Sequence, residues 1–175
     1  ILLASRLDAR EADVGTVELV DLIGLAAEEC ARVDAELDVT AVPEGLEVRG
    51  VAKLLRRALR NLLENARRYS QGDITVVLQR HDGQAQLSVL DRGPGVPPAL
   101  RERIFEPFYR LPGASERAGG VGLGLALVRS IAQRHNGSVR CEDQPDGSGG
   151  ACFVLRLPLH SPPGTAAPAP QRKGT

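Results

Sequence analysis

Residues 50–70, GVAKLLRRALRNLLENARRYS, constrain this chain more than any other stretch. Apolar residues recur at Val51, Leu54, Leu55, Ala58, Leu59, Leu62, Leu63 and Ala66, the spacing of one face of an α-helix. Asn61 and Asn65 are four residues apart, so their amides lie one turn apart on nearly the same side, and Arg68 extends that side by three residues. Two readings are open for this edge. One is a solvated border beside a core stripe. The other is an oxygen-rich site for a hydrated metal ion carrying phosphates. The helix does not choose between them; the glycine clusters downstream bear on the choice.

The chain of 175 residues suits one domain with a core of its own. Its formal net charge of zero points to neither nucleic acid nor a membrane surface. Cys30, Cys141 and Cys152 are an odd number without metal-ligand spacing and read as reduced structural thiols in a cytosolic setting. No apolar run approaches the ~18 residues of a membrane span, and no signal peptide is visible. The chain opens on Ile1 and contains no Met, so a piece of a longer protein is expected, with any membrane anchor lying elsewhere in it.

Residues 1–13 read as the last turns of an amphipathic helix running into a polar connector, and 14–20 as a strand. Asp21 is placed to cap a helix over 22–35. Short strands are expected at 37–42 and 46–48, separated by a Pro43-Glu44-Gly45 turn. After the 50–70 helix, strands at 73–80 and 84–90 flank His81-Asp82-Gly83, a hairpin signal. Residues 91–118 are rich in turn formers, 123–135 read as a helix ending at Asn136-Gly137, and 138–142 and 151–157 as a final strand pair. The Pro- and Ala-rich stretch 159–175 has little to bury and is expected to be disordered. Mixed strands and helices with several adjacent antiparallel strands predict an α/β (α+β) two-layer sandwich, a mixed and largely antiparallel sheet covered on one face by helices.

Three stretches between residues 91 and 125 carry chemistry. Asp91 directly follows an apolar strand, and Gly93 and Gly95 let backbone approach a flat ligand closely. A carboxylate there can accept from an exocyclic amine such as adenine presents; an ordinary turn after a strand is the alternative. The GGVGLGL run (119–125) leads straight into the predicted 123–135 helix, whose free N–H groups favour an anion. It lacks the Gly-Lys-Ser/Thr ending of a Walker A loop, and a polar segment rather than a strand precedes it, unlike a dinucleotide fingerprint. Between them, RIFEPFYR (103–110) holds two of the three Phe and one of the two Tyr. Bordered by glycines, it reads as a lid from which Arg110, with Arg117 beyond it, can reach phosphates, or as a small satellite core.

Taken together, NLLENARRYS (61–70), DRGPG (91–95), RIFEPFYR (103–110) and GGVGLGLALVRSIAQRHNGSV (119–139) resemble, in order and spacing, the N box, first glycine box, F box and second glycine box of sensor histidine kinases. GSGGACFVLRLP (147–158) resembles the closing glycine box and last strand, and LLASRLDA (2–9) the end of the dimerisation and histidine-phosphotransfer hairpin. The resemblance divides the chain into a hairpin remnant over 1–13, a catalytic ATP-binding domain over 14–158 and the tail 159–175. It implies the ATP-binding fold shared with gyrase, Hsp90 and MutL, with ATP and Mg2+ as cofactors. Asn65 would ligate Mg2+ with Asn61 assisting, Arg68 would contact phosphate, and Tyr69 would lie against adenine. Asp91 would accept from the adenine amine beside Gly93 and Gly95. Gly120, Gly122 and Gly124 would wrap the triphosphate, with Arg110 reaching it from the lid. Val96, Ile104, Phe108, Val121, Leu123 and Leu125 complete the implied nucleotide surround.

ATPase relatives carry a Glu four residues before the metal-binding Asn; here that position is Asn61, so hydrolysis is expected to be poor. Glu64 lies about 100° round the helix from Asn65 and reads as a solvated or structural charge. His81, His135 and His160 are none of them followed by Glu or Asp in the manner of a phosphoryl acceptor; His135 sits at a helix C-terminus, where the dipole favours a cation. The expected partners are therefore ATP, the histidine-phosphotransfer hairpin of the intact protein and the receiver domain of a response regulator. The fragment is expected to be monomeric and cytoplasmic, and the intact protein a membrane-anchored homodimer. The competing readings are a serine kinase of the anti-sigma-factor type or a related ATPase on the same fold, and a non-catalytic nucleotide-binding module.

Overall fold

The computed structural model describes residues 15–111 and 122–160. The expectations for 1–13 and for most of 159–175 lie outside those residues, as do Gly120, Val121 and Arg117. A five-stranded sheet runs in the order β2 (Glu36–Asp38), β4 (Thr75–His81), β5 (Gln84–Leu90), β7 (Cys152–Pro158), β6 (Ser138–Glu142). Only β2 joins it in parallel, beside β4; the other three pairings are antiparallel. A separate two-stranded sheet pairs β1 (Glu18–Asp21) with β3 (Glu47–Gly50). Three helices, α1 (Leu22–Val33), α2 (Ala52–Tyr69) and α3 (Gly124–Arg134), pack with the large sheet as a second layer.

Helix α2 is the centre of that layer. Leu54, Leu55, Ala58, Leu59, Leu62, Leu63 and Ala66 are all buried along it, as the apolar spacing predicts. Burying such a stripe contributes on the order of 10 kcal/mol, an upper figure because the unfolded chain is already partly collapsed. On the sheet side, Val76, Leu78, Ala85, Leu87, Val89, Leu155 and Leu157 supply the facing core. The outer face carries polar groups beside the buried Cys152 and Val154. There Arg156 donates to Gln86 at 3.3 Å and to Glu142 at 3.0 Å, joining three neighbouring strands.

Local chemistry explains where the elements stop. Asp21 caps α1 by accepting from the Ile23 N–H at 3.0 Å. The helix ends at Val33 rather than at 35, because Asp34 turns left-handed (φ 53°) and returns its N–H to Cys30. Asx geometry ends β2 early: both the backbone N–H and the hydroxyl of Thr40 donate to Asp38. Of the two strands expected at 37–42 and 46–48, the first is shortened to Glu36–Asp38 and the second runs over Glu47–Gly50; they belong to different sheets, joined by the Val42–Gly45 turn. The β4–β5 hairpin turns on Asp82 and Gly83, both at positive φ, in a two-residue loop.

The aromatic segment differs from a free lid. Ile104 and Phe105 sit in the main core, with Phe105 edge-on to Phe153 at 6.2 Å between ring centroids. Arg129 lies over the Phe105 ring and Arg103 over Tyr109. A buried aromatic anchors the stretch, so at least residues 103–109 are part of the scaffold. The 112–121 stretch expected to hinge it lies outside the described residues.

His135 has a structural role. Its ring is half-buried, with Nδ1 2.7 Å from the Ile131 carbonyl and Nε2 accepting from the Val51 N–H at 3.0 Å. With these partners the ring accepts at Nε2 and donates at Nδ1. The ring joins the end of α3 to the start of α2.

Candidate functional site

The second half of α2 forms one wall of a cleft of about 240 Å³. Asn61, Glu64, Asn65, Arg68 and Tyr69 line it from this helix. Ile104 lines it from the second of two short 3-10 turns (Pro98–Leu100 and Arg103–Phe105), Tyr109 and Arg110 from the segment that follows, and Gly122, Leu123, Gly124 and Leu125 from the start of α3. A smaller cavity of about 40 Å³ adjoins it and shares Asn65, Tyr69 and Ile104. That cavity is more apolar and is lined also by Asp91, Gly95, Val96 and Phe153.

The polar groups on the α2 wall are unusual in having no protein partners. The amides of Asn61 and Asn65 are half-buried, yet neither makes a hydrogen bond to any described residue. The exposed Arg68 and Glu64 make no hydrogen bond or ion pair there either. Arg67, one residue away, is fully engaged, donating to the carbonyls of Val33, Asp34 and Gly72. Across the cleft, α3 begins with no side-chain cap and no acidic residue in its first turn. The first N–H groups of a helix have no partner inside it. Together with the aligned peptide dipoles they make this end a place for an anion.

Asp91 is 3 % exposed and is held by backbone. Its Oδ1 accepts from the Gly93 N–H at 2.9 Å and from the Ala151 N–H at 3.1 Å, while Oδ2 has no partner among the described residues. Gly93 does not line either cavity but is needed for this arrangement: a Cβ there would stand 2.5 Å from the Tyr69 carbonyl oxygen. Gly122 is at φ 77°, and a Cβ on it would meet the Phe108 backbone at 2.9 Å. That close approach carries a backbone hydrogen bond, Phe108 N–H to Gly122 carbonyl, at 2.9 Å.

Of the residues implied for the nucleotide, Phe108 is placed elsewhere. It stands 56 % exposed at φ 65° and lines neither cavity; Tyr109 takes the place in the wall. A left-handed residue reverses the direction of the side chain, which spacing along the sequence does not show. Glu64, read as a solvated or structural charge, is exposed and lines the cleft. Pro94, Leu111, Ala151 and Phe153 line the smaller cavity without having been singled out. They are ordinary apolar residues whose role is visible only in the assembled fold.

The three cysteines are buried and free. Desolvation pushes the thiols of Cys30 and Cys152 up to about 11 and that of Cys141 up to about 12. They are inert packing groups. Among the described residues no helix is long and apolar enough to cross a membrane.

Comparison with known proteins decides the family. Residues 50–161, more than half of the chain, match the model for histidine kinase-, DNA gyrase B-, and HSP90-like ATPases. The chain belongs to this family. Its relatives within the family are sensor kinases. The sensor-like histidine kinase SenX3 of Mycolicibacterium smegmatis is 36 % identical over 156 residues, covering 84 % of this chain and 40 % of SenX3. The mycobacterial sensor histidine kinase MprB superposes with a TM-score of 0.71 at 32 % identity, over 84 % of this chain and all of that structure. The ATP binding domain of PrrB from Mycobacterium tuberculosis superposes with a TM-score of 0.65 at 30 % identity, again over 84 % of this chain and all of that one. The chain thus spans well under half the length of the sensor kinase SenX3, and its described residues correspond to an ATP-binding domain of the histidine-kinase type.

Proposed function

We propose that the cleft binds Mg-ATP and presents the γ-phosphoryl to a histidine on the phosphotransfer hairpin of the intact protein, from which it passes to an aspartate of a response regulator. The observation that carries this reading is the pair of half-buried, unpartnered amides on α2, set in one cleft with the uncapped start of α3. Amides left without protein partners await a ligand that satisfies them.

In this reading Tyr69 and Val96 bound the base, and Asp91 Oδ2 accepts from its exocyclic amine. Arg68 and Arg110 hold phosphate oxygens by charge-assisted hydrogen bonds. The N–H groups of Gly124 and Leu125 face the phosphates at the helix start. Mg2+ is a hard ion that keeps several waters and takes one or two protein oxygens alongside phosphate. Asn65, assisted by Asn61, would supply the protein oxygen, and neutral amides add no negative charge beside the triphosphate. Bound there, Mg2+ supplies charge neutralisation on the phosphates. The chain's own task is to position the phosphoryl group and exclude misdirected attack.

The test is transfer in trans. The purified chain, given labelled ATP, Mg2+ and a separate histidine-containing hairpin, is expected to label the hairpin with an acid-labile phosphate. An acid-stable label would instead indicate a serine kinase. One observation favours a hydrolytic reading: Glu64 lines the cleft and has no ion-pair partner among the described residues, as a base for water would. Phosphate release without the hairpin, lost in Glu64→Gln, is the result that would support it. With Asn61 in the place of the hydrolytic Glu, slow release unaffected by Glu64→Gln is expected. The intact protein is read as a membrane-anchored homodimer with this domain in the cytoplasm.

A further inference from the structure

We propose that Gln144 is a positioning residue that sets the base selectivity of the cleft by fixing the direction of the Asp91 carboxylate. The proposal rests on the reading that Asp91 accepts from the amine of a 6-aminopurine.

The ladder between β5 and β7 ends at the pair Leu90 and Cys152. Asp91 and Ala151 lie one step beyond it. Their backbones are still joined, Asp91 N–H donating to the Ala151 carbonyl at 3.0 Å. Past this point no next strand residue serves the Asp91 carbonyl, and the Ala151 carbonyl, which already accepts from Asp91, has a second lone pair open. Gln144, 6 % exposed and two residues past β6, serves both from the side: its Nε2 lies 2.8 Å from the Asp91 oxygen and 3.1 Å from that of Ala151. Two acceptors meeting at one point need two hydrogens from one atom. A primary amide provides them without adding charge beside Asp91. Gly150 completes the fit, since a Cβ there would be 2.0 Å from the same Asp91 oxygen.

The consequence reaches the carboxylate through Ala151. The Ala151 N–H donates to Asp91 Oδ1, which also accepts from Gly93. Gln144 fixes the Ala151 peptide and the Asp91 main chain together, so Oδ1 is committed and Oδ2 alone is left for the adjoining cavity. That geometry offers an acceptor at one place. It suits a ring amine and repels a ring carbonyl, which presents a second acceptor. Without Gln144 the Asp91 carbonyl loses its donor and that of Ala151 keeps only the Asp91 N–H, so the strand ends are less firmly joined and Asp91 is freer to turn.

The experiment measures dissociation constants of ATP and inosine triphosphate, which carries a 6-oxo group in place of the amine, for the full chain with Mg2+. Wild type is expected to prefer ATP by about tenfold or more, the value of one well-formed hydrogen bond. Gln144→Met keeps the shape of the side chain and removes the donor. It is expected to weaken ATP about tenfold and inosine triphosphate less than about twofold, collapsing the ratio. A merely structural role would weaken both nucleotides alike and leave the ratio standing, which would overturn the proposal. So would a folded variant with wild-type selectivity. A wild type that does not discriminate between the two would instead overturn the role given to Asp91. Should Gln144→Met melt without a cooperative transition, Gln144→Glu carries the test: selectivity is lost at neutral pH and partly restored near pH 5, where a protonated carboxyl can again donate one bond. Failure of any restoration in that variant would count against the proposal.

Discussion

The two ends of α2 treat their polar side chains in opposite ways. Toward the start, the half-buried Arg56 and Arg60 are matched, while the exposed Lys53 and Arg57 face solvent. His135 accepts from Val51, and Glu29 of α1, 2 % exposed, accepts from Arg56 at 3.1 Å and from Arg60 at 2.9 Å through two nitrogens. At the far end, Asn61, Glu64, Asn65 and Arg68 line the cleft without hydrogen bond or ion pair to any described residue. The contrast is sharpest between neighbours: Arg67 is tied to three carbonyls and Arg68 to nothing described. Matched polar groups join α2 to α1 and α3. The unmatched ones line the cleft proposed for the nucleotide. On that reading one helix combines groups that hold the fold with groups that bind, and the two are separable by mutation.

The largest effect is expected at the unmatched end. Asn65→Ala should weaken Mg-ATP by about a hundredfold and abolish transfer to the hairpin, while urea unfolding shifts by no more than about 0.5 kcal/mol. Equal losses of stability and affinity would erase the distinction between the ends. At the matched end, Gly50→Ala would place a Cβ 2.6 Å from His135 Cδ2 and 2.8 Å from Nε2. A loss of about 2–3 kcal/mol is expected from this overpacking, read by urea denaturation, with the nucleotide affinity of the folded fraction unchanged.

A smaller effect is expected for Glu29→Gln, about 1 kcal/mol near neutral pH, because both arginines are partly in water. The Arg60 guanidinium above all, then Arg56, holds the Glu29 carboxyl below the usual carboxylate range against the opposing cost of burial. A lowered folded value means the ionised form stabilises the fold. Its contribution is fully present above the ordinary carboxylate value near pH 4.5 and is lost as pH falls through the lower folded value. The stability gap between wild type and Glu29→Gln should therefore be constant above about pH 5 and close on acidification. The smallest effect is expected of the thiols. With burial holding Cys30, Cys141 and Cys152 at about 11, 12 and 11, a thiol reagent at pH 8 should label the native chain no faster than it unfolds.

Much of this was legible in the residues because local rules and tertiary structure agree. The apolar stripe of α2, the Asp82-Gly83 hairpin turn and the Asp21 cap all follow from short-range chemistry, and each is observed. What was not legible depends on contacts distant in sequence. The segments at 37–42 and 46–48 look alike, but their assignment to different sheets depends on β4 and β1. Phe105 belongs to the core because Phe153, 48 residues on, meets it edge-on. The tautomer of His135 is set by Val51, 84 residues away. Glu64 is seen to line the cleft only beside the residues of the α3 entry, and Gln144 is a neutral polar residue in a turn-rich stretch until the strand ends it joins are seen together.

The central claim is that the unmatched end of α2 is a Mg-ATP site. Calorimetric titration of the chain with ATP, with and without Mg2+, in wild type and Asn65→Ala, tests it most directly. Binding between about 1 μM and 1 mM is expected for wild type, tighter with Mg2+, and the gain from Mg2+ should vanish in Asn65→Ala. No binding of an adenine nucleotide to a folded wild type in the presence of Mg2+, or an undiminished gain from Mg2+ in the variant, would contradict it.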